Sequence, residues 1–420
     1  MSLHTRARIL SVLALAPFAA HAQTPSLNLA AAFADTRTAL LAGDADIVCI
    51  GDSLTFRPGG MHEALRGIMH TAYGNGGNGY QAFSVWTGGG LNPGWTTGFI
   101  NADTTPHHGL DGMWIKSATT TTSAFFDAQS PISALHYVRM PGAGGFLVDQ
   151  PQGATYISAA DEKQHVAQHI LTHSVSSRTW YYTSGGPVIL LGQNNLSGTP
   201  GARVHRVANG GWGVENFLQR DWTFDEQLRL LTPDLYIIML GQNNQTMQRD
   251  TFAGLLKRLI VRLRDATPDA EIVLVSSYDS GTFEIEQLAL AVEDAATDSG
   301  AGFINLEAFG GTYAQHLAAG HIDPDGVHFT QAGGQFVARF ISDALHTAGE
   351  SITPSPSRCD SIDFNNNTVY PEDHDVIDFF AVLSGAECPT CNDIDFNNNT
   401  VFPEDQDVID FFTVLAGGTC

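Results

Sequence analysis

Short apolar segments alternate with amphipathic helical segments in two separate stretches of the chain. In the first stretch, residues 46–50 form an apolar run, and residues 61–72 follow with apolar side chains at helical spacing. In the second stretch, the predicted strands are 235–240, 271–275 and 302–306, and the predicted helices are 252–265, 284–296 and 331–345. A further helix is predicted at 28–43. Strands that alternate with helices form a parallel sheet covered on both faces, so the sequence predicts an α/β fold.

The stretch between these two has a different composition. From about residue 74 to residue 203, Gly, Thr, Ser and Asn are dense and charged residues are few. Apolar runs such as 134–140 and 188–191 are bounded by Gly and Pro, a pattern typical of an all-β sandwich or jelly roll. We therefore predict a discontinuous α/β domain at 23–90 and 205–348, with an all-β domain inserted at 91–204.

The first 22 residues have the pattern of an export signal. Arg6 and Arg8 precede an apolar run, and Ala20-His21-Ala22 has the small residues of a cleavage site before Gln23. A short buried helix is the structural alternative. No other stretch has about 18 consecutive apolar residues, so the sequence predicts no membrane span. We expect the protein to be secreted or periplasmic.

The net charge of the chain argues against two classes of binding partner. The 420 residues include 44 acidic and 20 basic ones, for a formal net charge of −24. A nucleic-acid binder needs a basic face to displace counterions from phosphates, and a binder of anionic lipid needs basic residues as well. Both classes are therefore disfavoured. Residues 351–420 alone hold 13 acids and one base, which indicates a separate acidic module.

This acidic module contains one unit twice. After a Pro- and Ser-rich linker at 349–358, the predicted module covers 359–420, in which residues 359–388 and 391–420 align at an offset of 32. Both units contain Ile-Asp-Phe-Asn-Asn-Asn-Thr-Val, which places oxygen-bearing side chains at alternate positions, as at the start of an EF-hand loop.

The two units resemble dockerin-type calcium repeats. The resemblance implies Ca²⁺ binding and a scaffold or cell-surface partner. The candidate ligands are Asp363, Asn365, Asn367, Asp373, Asp375, Asp395, Asn397, Asn399, Asp405 and Asp407. Thr368 and Thr400 depart from the usual Gly, and His374 and Gln406 stand at loop position 12. An acidic module stapled by disulfides and without metal is the alternative.

Four of the five cysteines lie at the ends of the two units. Pairing of Cys359 with Cys388 and of Cys391 with Cys420 would close two loops of about 30 residues in an oxidising compartment. Other pairings stay open. Cys49 lies inside an apolar run and is predicted to be a buried, unreactive thiol.

Four short motifs contain the residue types that catalysis would need. Gly-Asp-Ser-Leu at 51–54 ends the first strand, which places Ser53 at the carboxyl edge of a parallel sheet, where α/β proteins bind ligands. Asp325 lies three residues before His328, so its carboxylate can reach the imidazole. Gly-Gln-Asn-Asn at 241–244 offers a side-chain amide donor, and Gly-Gly-Trp-Gly at 210–213 offers backbone N–H groups.

In this order, the motifs resemble the blocks of the SGNH hydrolases, the GDSL esterase superfamily. The resemblance implies a three-layer flavodoxin-like fold, with Ser53 as the nucleophile, His328 as the base and Asp325 orienting the imidazole. It implies no cofactor for catalysis. The structural alternatives are a helix N-cap for the serine and a surface histidine beside an acid.

The same resemblance places two donors to an oxyanion. These are the N–H of Gly213, with Gly210 as the alternative, and the side chain of Asn243. Turn residues are the structural alternative for both. The family motif has an Asp after the Asn, where this chain has Asn244. A second Gly-Gln-Asn-Asn at 192–195 breaks the family order and is predicted to be a turn that ends the β insert.

The spacing of the motifs indicates a subset of the superfamily. Ser53 and Gly213 lie 160 residues apart, more than one βαβ step needs. This resembles the members with an inserted β-sandwich, which include peptidoglycan and polysaccharide O-acetylesterases and whose insert looks like a carbohydrate-binding module. Segments 73–80 and 141–146 look similar as well.

The resulting prediction is a secreted bacterial serine esterase that hydrolyses ester groups, O-acetyl above all, on a polysaccharide or peptidoglycan through an acyl-enzyme. Two alternatives remain. The same site would serve an O-acyltransferase that passes the acyl group to a sugar hydroxyl. A non-catalytic glycan-binding surface protein would use only the insert and the tail.

Overall fold

The computed structural model describes most of the chain. The described residues are 25–83, 89–98, 108–118, 122–127, 130–173, 178–350, 361–367, 369, 372–386, 388–394, 396 and 405–415. They form two compact units, Met1–His346 and Thr347–Cys420. The predicted export signal and almost all of the predicted linker lie outside the described residues. Among those that are described, no helix is long and apolar enough to cross a membrane.

The elements are numbered in chain order. The strands are β1 (Ser26–Leu27), β2 (Asp44–Gly51), β3 (Asn75–Gly77), β4 (Gly79–Ala82), β5 (Gly89–Leu91), β6 (Trp95–Gly98), β7 (Trp114–Ser117), β8 (Ser123–Asp127), β9 (Ile132–Arg139), β10 (Gly145–Gln150), β11 (Gly153–Ser158), β12 (His165–Thr172), β13 (Arg178–Ser184), β14 (Val188–Leu196), β15 (Gly201–Ala208), β16 (Leu235–Met239), β17 (Glu271–Val275) and β18 (Gly302–Ile304). The helices are α1 (Ala34–Ala42), α2 (Ser53–Phe56), α3 (Met61–Tyr73), α4 (Val214–Leu218), α5 (Trp222–Leu231), α6 (Arg249–Ala266), α7 (Phe283–Ser299), α8 (Leu306–Phe309), α9 (Tyr313–Ala318), α10 (Gln331–Glu350), α11 (Asp373–Leu383) and α12 (Asp405–Leu415).

A seven-stranded sheet forms the centre of the first unit. Its strand order is β1-β18-β17-β16-β2-β15-β3, and all neighbours are parallel except β1 and β18. β2 lies between β15 and β16, and its residues 45–51 are buried, as a strand covered on both faces requires. The predicted α/β fold with an additional all-β part is confirmed.

The helices that flank this sheet follow the predicted amphipathic spacing. On α6, Phe252, Leu256, Leu259 and Leu263 are buried at intervals of three or four residues, so one stripe of the helix enters the core. The helix predicted at 28–43 is shorter than expected, since α1 begins at Ala34. Residues 30–33 form turns, and Asn28 has a φ of 55°.

Two antiparallel sheets form the inserted β part. One has the order β11-β10-β13-β8-β5, and the other has the order β12-β9-β14-β7-β6 with β4 paired to β14. Aromatic side chains fill the core between them, including Phe83, Phe126, Phe146 and Tyr181. The strands of these sheets run from β4 to β14, whereas the predicted insert spans 91–204. β15 belongs to the seven-stranded sheet, because it pairs with β2 along eight residues.

The second Gly-Gln-Asn-Asn, at 192–195, is not the predicted turn. It continues β14, which pairs with β9 on one side and with β4 on the other. Gln193, Asn194 and Asn195 are buried there, and Asn195 Nδ2 donates to the carbonyl of Gly79 at 3.1 Å. Two neighbouring strands satisfy the backbone of this polar segment, so it stays extended.

The second unit contains α11 and α12. Its core is an aromatic cluster of Phe364, Phe379, Phe396 and Phe411, all fully buried. Each repeat contributes two of these rings at positions 32 residues apart, and the rings of Phe379 and Phe411 stack at 4.1 Å between centroids. The repeats therefore share one core instead of having one each.

The disulfide in this unit differs from the predicted pairing. Cys388 bonds to Cys391 across a turn in which the Cys391 N–H donates to the Cys388 carbonyl at 3.2 Å. This turn brings the two Cα atoms to 5.3 Å, within the usual range for a disulfide. Cys359 and Cys420 lie outside the described residues. Cys49 is buried and free as predicted, and burial raises the pKa of its thiol to about 12.

Candidate active site

Ser53 is the first residue of α2, directly after β2. Asp52 caps this short helix, and its Oδ1 accepts a hydrogen bond from the Leu54 N–H at 2.9 Å. Gly51 permits the sharp turn, because a Cβ there would come within 2.6 Å of Thr55 Cβ. The strand end therefore holds the Ser53 hydroxyl at the carboxyl edge of the sheet, with 8% of the residue exposed.

His328 connects Ser53 to Asp325. His328 Nε2 lies 2.8 Å from Ser53 Oγ, and His328 Nδ1 lies 2.7 Å from Asp325 Oδ2. A carboxylate only accepts hydrogen bonds, so Nδ1 carries the proton and Nε2 is left to accept from the serine hydroxyl. The structure thus brings the three predicted residues into one hydrogen-bond chain, although 275 residues separate the serine from the histidine.

Asp325 is held in its ionised form. Its Oδ1 accepts hydrogen bonds from the backbone N–H groups of His328 and Val327, both at 3.0 Å. These two bonds and the His328 side chain hold the pKa of the Asp325 carboxyl well below its usual range. The carboxylate is therefore available to orient the imidazole at every pH at which histidine is neutral.

Arg57 reaches the same carboxylate. Its Nη1 lies 3.2 Å from Asp325 Oδ2, the oxygen that also contacts His328. Arg57 follows α2, so this ion pair joins the loop of the serine to the loop of the histidine across 268 residues. Sequence reasoning missed Arg57, because a single charge four residues after a serine is not a distinctive signal.

Asn243 lies beyond the end of β16, next to the glycine motif. Its Nδ2 donates to the carbonyl of Trp212 at 3.0 Å, and the side chain is exposed. A side-chain amide carries two hydrogens, so one holds Asn243 in place while the second is available to a ligand. This arrangement is compatible with the predicted oxyanion donor.

Gly213 is the N-cap of α4 and is buried. A Cβ at this position would lie 2.6 Å from Glu215 Oε2, so a larger residue would displace the Glu215 side chain. Its N–H donates to Asn216 Oδ1 at 2.8 Å. The N–H of Gly213 is thus occupied in this structure, and it serves an oxyanion only if Asn216 releases it. A Cβ at Gly210, the alternative, would meet no atom within 4 Å.

The predicted calcium ligands of the first repeat lie on one loop (Asp363, Asn365 and Asn367) and in the first turn of α11 (Asp373 and Asp375). Asp363 Oδ1 accepts from the Asn367 N–H at 2.9 Å, and Asn365 Oδ1 accepts from the same group at 3.2 Å. Asp375 is buried, and its two oxygens accept from the N–H groups of Phe364 and Glu372, both at 3.0 Å. Asp375 thus closes the loop rather than facing an open cation site.

The other predicted ligands lie on α11, on α12 or outside the described residues. Asp373 begins α11, and Asp407 is buried. Asp395, Asn397 and Asn399 lie outside the described residues, as does the side chain of Asp405. Within the described part of the chain, no group of three His, Cys, Asp or Glu side chains is arranged to hold a metal ion. Calcium binding therefore stays a prediction.

Comparison with known proteins agrees with this geometry. Residues 177–336 match the model of the GDSL-like lipase/acylhydrolase family. The matched segment contains Gly213, Asn243, Asp325 and His328, and it begins after Ser53. No curated protein sequence matches the chain.

Several solved structures are similar. A peptidoglycan O-acetylesterase has a TM-score of 0.66 at 17% identity, with 78% of this chain and 100% of that chain covered. A family two carbohydrate esterase from Cellvibrio japonicus has a TM-score of 0.30 at 15% identity, covering 64% of this chain and 99% of that one. An acetylxylan esterase from Geobacillus stearothermophilus has a TM-score of 0.29 at 19% identity, covering 34% and 73%. At 17% identity, the first similarity shows the fold alone. The TM-scores of the other two are too low to support a conclusion about this chain.

Proposed function

We propose that this serine esterase of the SGNH type removes O-acetyl groups from a glycan, a polysaccharide or peptidoglycan, through an acyl-enzyme on Ser53. The GDSL-like family match over residues 177–336, which begins after Ser53, supports the enzyme class. The observation that carries the proposal is the unbroken hydrogen-bond chain from Ser53 Oγ through His328 to Asp325, with contacts of 2.8 and 2.7 Å. A base in contact with the hydroxyl is what makes serine nucleophilic.

In the first half of the reaction, Ser53 Oγ attacks the ester carbonyl carbon while His328 Nε2 takes the hydroxyl proton. The resulting imidazolium is stabilised by Asp325, which does not itself become protonated. When the tetrahedral intermediate collapses, the bond to the sugar oxygen breaks and Nε2 gives its proton to that oxygen. The products of this half are the free sugar hydroxyl and an acetyl group on Ser53.

In the second half, His328 Nε2 takes a proton from a water molecule as that water attacks the acyl carbonyl. Collapse of the second intermediate breaks the bond to Ser53 Oγ and returns the proton to it. Acetic acid leaves and gives its proton to the solvent to become acetate, and the enzyme is regenerated. The side-chain amide of Asn243 and the backbone N–H of Ser53 are the proposed donors to both oxyanions, and Gly213 joins them if Asn216 releases its N–H.

A groove with several polar side chains supports a glycan as the substrate. It has a volume of about 790 Å³ and runs between α3 and α10. It begins at Gly59 and Gln331, six residues after Ser53 and three after His328. Its polar lining comprises Glu63, Arg66, Gln331, Gln335 and Arg339. Such side chains can hydrogen-bond to sugar hydroxyls.

The outer face of the five-stranded sheet supports glycan binding by the insert. On β13, side chains alternate, with Thr179 and Tyr181 buried and Trp180 and Tyr182 facing outward. The rings of Trp180 and Tyr182 lie 6.0 Å apart at 22° to each other, and Tyr156 on β11 is 58% exposed. Trp180 is half-buried and Tyr182 is exposed, and their nearly parallel rings offer flat apolar surfaces with polar tips, which suit the C–H faces and hydroxyls of pyranose rings.

The test of the catalytic proposal is release of acetate from p-nitrophenyl acetate and from O-acetylated glycans by the full chain. We expect Ser53→Ala and His328→Ala each to lower kcat by a factor on the order of 10³–10⁶. Acetyl groups transferred to an added sugar, instead of free acetate, would assign an acyltransferase to the same site.

Ser342→Ala is the matched control. Ser342 Oγ lies 3.2 Å from His346 Nδ1, so this is also a buried serine beside a histidine, but His346 contacts Tyr73 where the candidate site has Asp325. We expect its kcat to equal that of the wild type. Wild-type activity no higher than that of Ser53→Ala would overturn the proposal.

The role of the insert is tested in the Ser53→Ala background, where a glycan is bound without turnover. We expect Trp180→Ala and Tyr182→Ala to weaken binding of an O-acetylated glycan about 5- to 50-fold. Ile170→Ala, a substitution of an exposed apolar residue on the other sheet, should leave the affinity unchanged. Equal affinity for all variants would remove the insert from substrate binding.

Export and the acidic tail belong to the same proposal. A secreted enzyme acting on a cell-wall or extracellular glycan would begin at Gln23 after cleavage, which N-terminal sequencing of the mature protein decides. The tail would attach the enzyme to a scaffold or to the cell surface. Retention of the full chain on cells, compared with a chain ending at residue 346, tests that attachment.

A further inference from the structure

Two consecutive peptide groups of the loop between Asp325 and His328 are hydrogen-bonded at both ends. The first joins Gly326 to Val327, and the second joins Val327 to His328. The N–H of each peptide donates to Asp325 Oδ1 at 3.0 Å. The carbonyl of each peptide accepts from a tyrosine hydroxyl: Gly326 from Tyr313 at 2.9 Å and Val327 from Tyr278 at 2.8 Å.

We propose that Tyr278 and Tyr313 are positioning residues that act on the reaction through these two peptides, by fixing the Asp325 carboxylate and, through it, the His328 imidazole. The inference rests on the proposed function, since it concerns the same catalytic loop. Neither tyrosine belongs to the four sequence motifs, and neither touches the reacting atoms in this structure.

Both tyrosines depend on the loop that follows β17. Tyr278 is fully buried, and its ring packs against Phe329 at 5.0 Å and edge-on against His316 at 5.7 Å. Tyr313 is the first residue of α9, and its N–H donates to Asp279 Oδ2 at 3.2 Å. One loop thus carries the first tyrosine and anchors the second.

The arrangement has a direct electrostatic consequence. A hydrogen bond to the carbonyl of a peptide polarises the group and strengthens its N–H as a donor, because hydrogen bonds in a chain reinforce one another. Each tyrosine therefore strengthens one of the two backbone bonds that hold Asp325 Oδ1. Burial raises the pKa of Tyr278, so its hydroxyl stays protonated and remains a donor at neutral pH.

Geometry matters as much as polarisation. Gly326 has a φ of 78°, and its N–H donates to Asp323 at 2.9 Å, so the loop turns sharply just before the two peptides. Rotation of either peptide would move the N–H away from Oδ1 and would turn the carboxylate that meets Nδ1. The two phenols oppose that rotation, because each hydroxyl holds one of the two carbonyls.

The test compares steady-state kinetics of Tyr278→Phe, Tyr313→Phe and the double variant with the wild type. Removal of each hydroxyl should lower kcat about 3- to 10-fold and the pair about 10- to 100-fold, with KM changed less than about twofold. Tyr236→Phe is the matched control: its buried hydroxyl bonds to Thr267 Oγ1 at 2.8 Å, at the opposite end of β16. Its kcat should equal that of the wild type.

A double-variant cycle with Asp325→Asn separates positioning from general stability. If the tyrosines act through Asp325, each Tyr→Phe substitution should change kcat less than about twofold in the Asp325→Asn background. The full 3- to 10-fold loss in that background, or no loss in the wild-type background, would overturn the proposal.

Proton NMR provides a second measurement that does not depend on activity. The His328 Nδ1 proton should give a low-field resonance that is absent in His328→Ala, and Tyr278→Phe and Tyr313→Phe should shift it whereas Tyr236→Phe should not. An unmoved resonance would count against the tyrosines alone. Failure of the proposed function itself would appear instead as Ser53→Ala activity equal to that of the wild type.

Discussion

Asn244 illustrates at the scale of one residue how a departure from a motif is accommodated. The family motif has an aspartate at this position. Here the Asn244 Nδ2 donates to Glu215 Oε2 at 2.8 Å, and the Asn244 Oδ1 accepts from the Val214 N–H at 3.4 Å. The amide thus donates to a carboxylate and accepts from a backbone N–H. An ionised aspartate could accept from the N–H but could not donate to the carboxylate.

Asn244→Asp is therefore expected to destabilise the protein. Two carboxylates about 2.8 Å apart repel each other, and the buried aspartate would have no donor toward Glu215. The expected loss is about 1–3 kcal/mol in the free energy of unfolding at pH 8, and less at pH 5, where one of the two carboxyls is protonated. Urea unfolding at the two pH values measures it.

The double variant Asn244→Asp with Glu215→Gln supplies the control. It restores one donor and one acceptor in reversed order, so its stability should return to within about 0.5 kcal/mol of the wild type. A double variant as unstable as Asn244→Asp alone would show that the charge pair is not the cause.

The candidate site could be predicted from sequence only where its residues lie in short motifs. Ser53 and the Asp325–His328 pair could be identified because each follows a recognisable strand or turn signal. Arg57 and Asn216 could not be identified. Arg57 meets Asp325 across 268 residues, and Asn216 occupies a glycine N–H that spacing alone would leave free. Contacts made by folding leave no local signature.

At the scale of elements, periodicity predicted most helices and strands, and the exceptions have structural causes. β17 has the predicted bounds, since an apolar five-residue run allows few alternatives. The polar end of β14 could not be predicted, because partner strands on both sides satisfy it. On α6, Arg262 is not solvated as its charge suggests: its guanidinium contacts Asp225 and the backbone carbonyls near the end of α4.

The shared aromatic core predicts that the two repeats of the tail unfold together. Phe411→Ala removes a ring stacked at 4.1 Å on Phe379 and should cost about 3–5 kcal/mol, enough to open α11 as well as α12. Hydrogen exchange of the full chain should show faster exchange in both helices. Phe412→Ala, which removes a ring that is 40% exposed, is the control and should change neither.

Protection of α11 in Phe411→Ala, with exchange limited to α12, would show instead that the first repeat has a core of its own. The comparison needs no assumption about metal, because both variants carry the same acidic loops.

Calcium is also predicted to stabilise the helices and loops of the tail. A bound cation would offset the repulsion among the loop acids and would raise the unfolding temperature of the second unit. Thermal melting of the full chain with calcium and with chelator, followed by a probe in α11 or α12, measures the shift. Asp363→Asn should reduce it. Identical melting under both conditions would reject the metal.

At the scale of the whole molecule, buried carboxyls give stability an unusual dependence on pH. Burial raises the pKa of Asp52 to about 7 and that of Asp111 to about 6, and burial together with Asp279 and Glu286 raises the pKa of Glu307 to about 7. In each case the folded state binds the proton more tightly than the unfolded chain does. These groups therefore lower the free energy of unfolding as pH rises from about 4 to about 7.

Asp111→Asn tests this dependence. Asp111 is fully buried, and among the described residues its Oδ2 has no hydrogen-bond partner. At pH 5 the wild-type carboxyl is largely protonated, so the variant should be about as stable as the wild type. At pH 8 the variant should be more stable by about 1–3 kcal/mol, because it avoids a buried charge. An equal difference at both pH values would contradict the assignment.

The position of β2 in the centre of the sheet has a consequence for the order of events during synthesis. Asp46 on β2 pairs with Arg203 on β15, 157 residues later, and β16 follows β15. At roughly 5–20 residues per second, a ribosome completes β2 roughly 8–30 seconds before its first neighbour. The strands of both inserted sheets are synthesised within that interval, since the last one ends at Leu196. We therefore expect the two inserted sheets to fold before β2 is paired, although they are synthesised after it. During that interval we expect chaperones to protect the apolar strand β2 of the nascent chain.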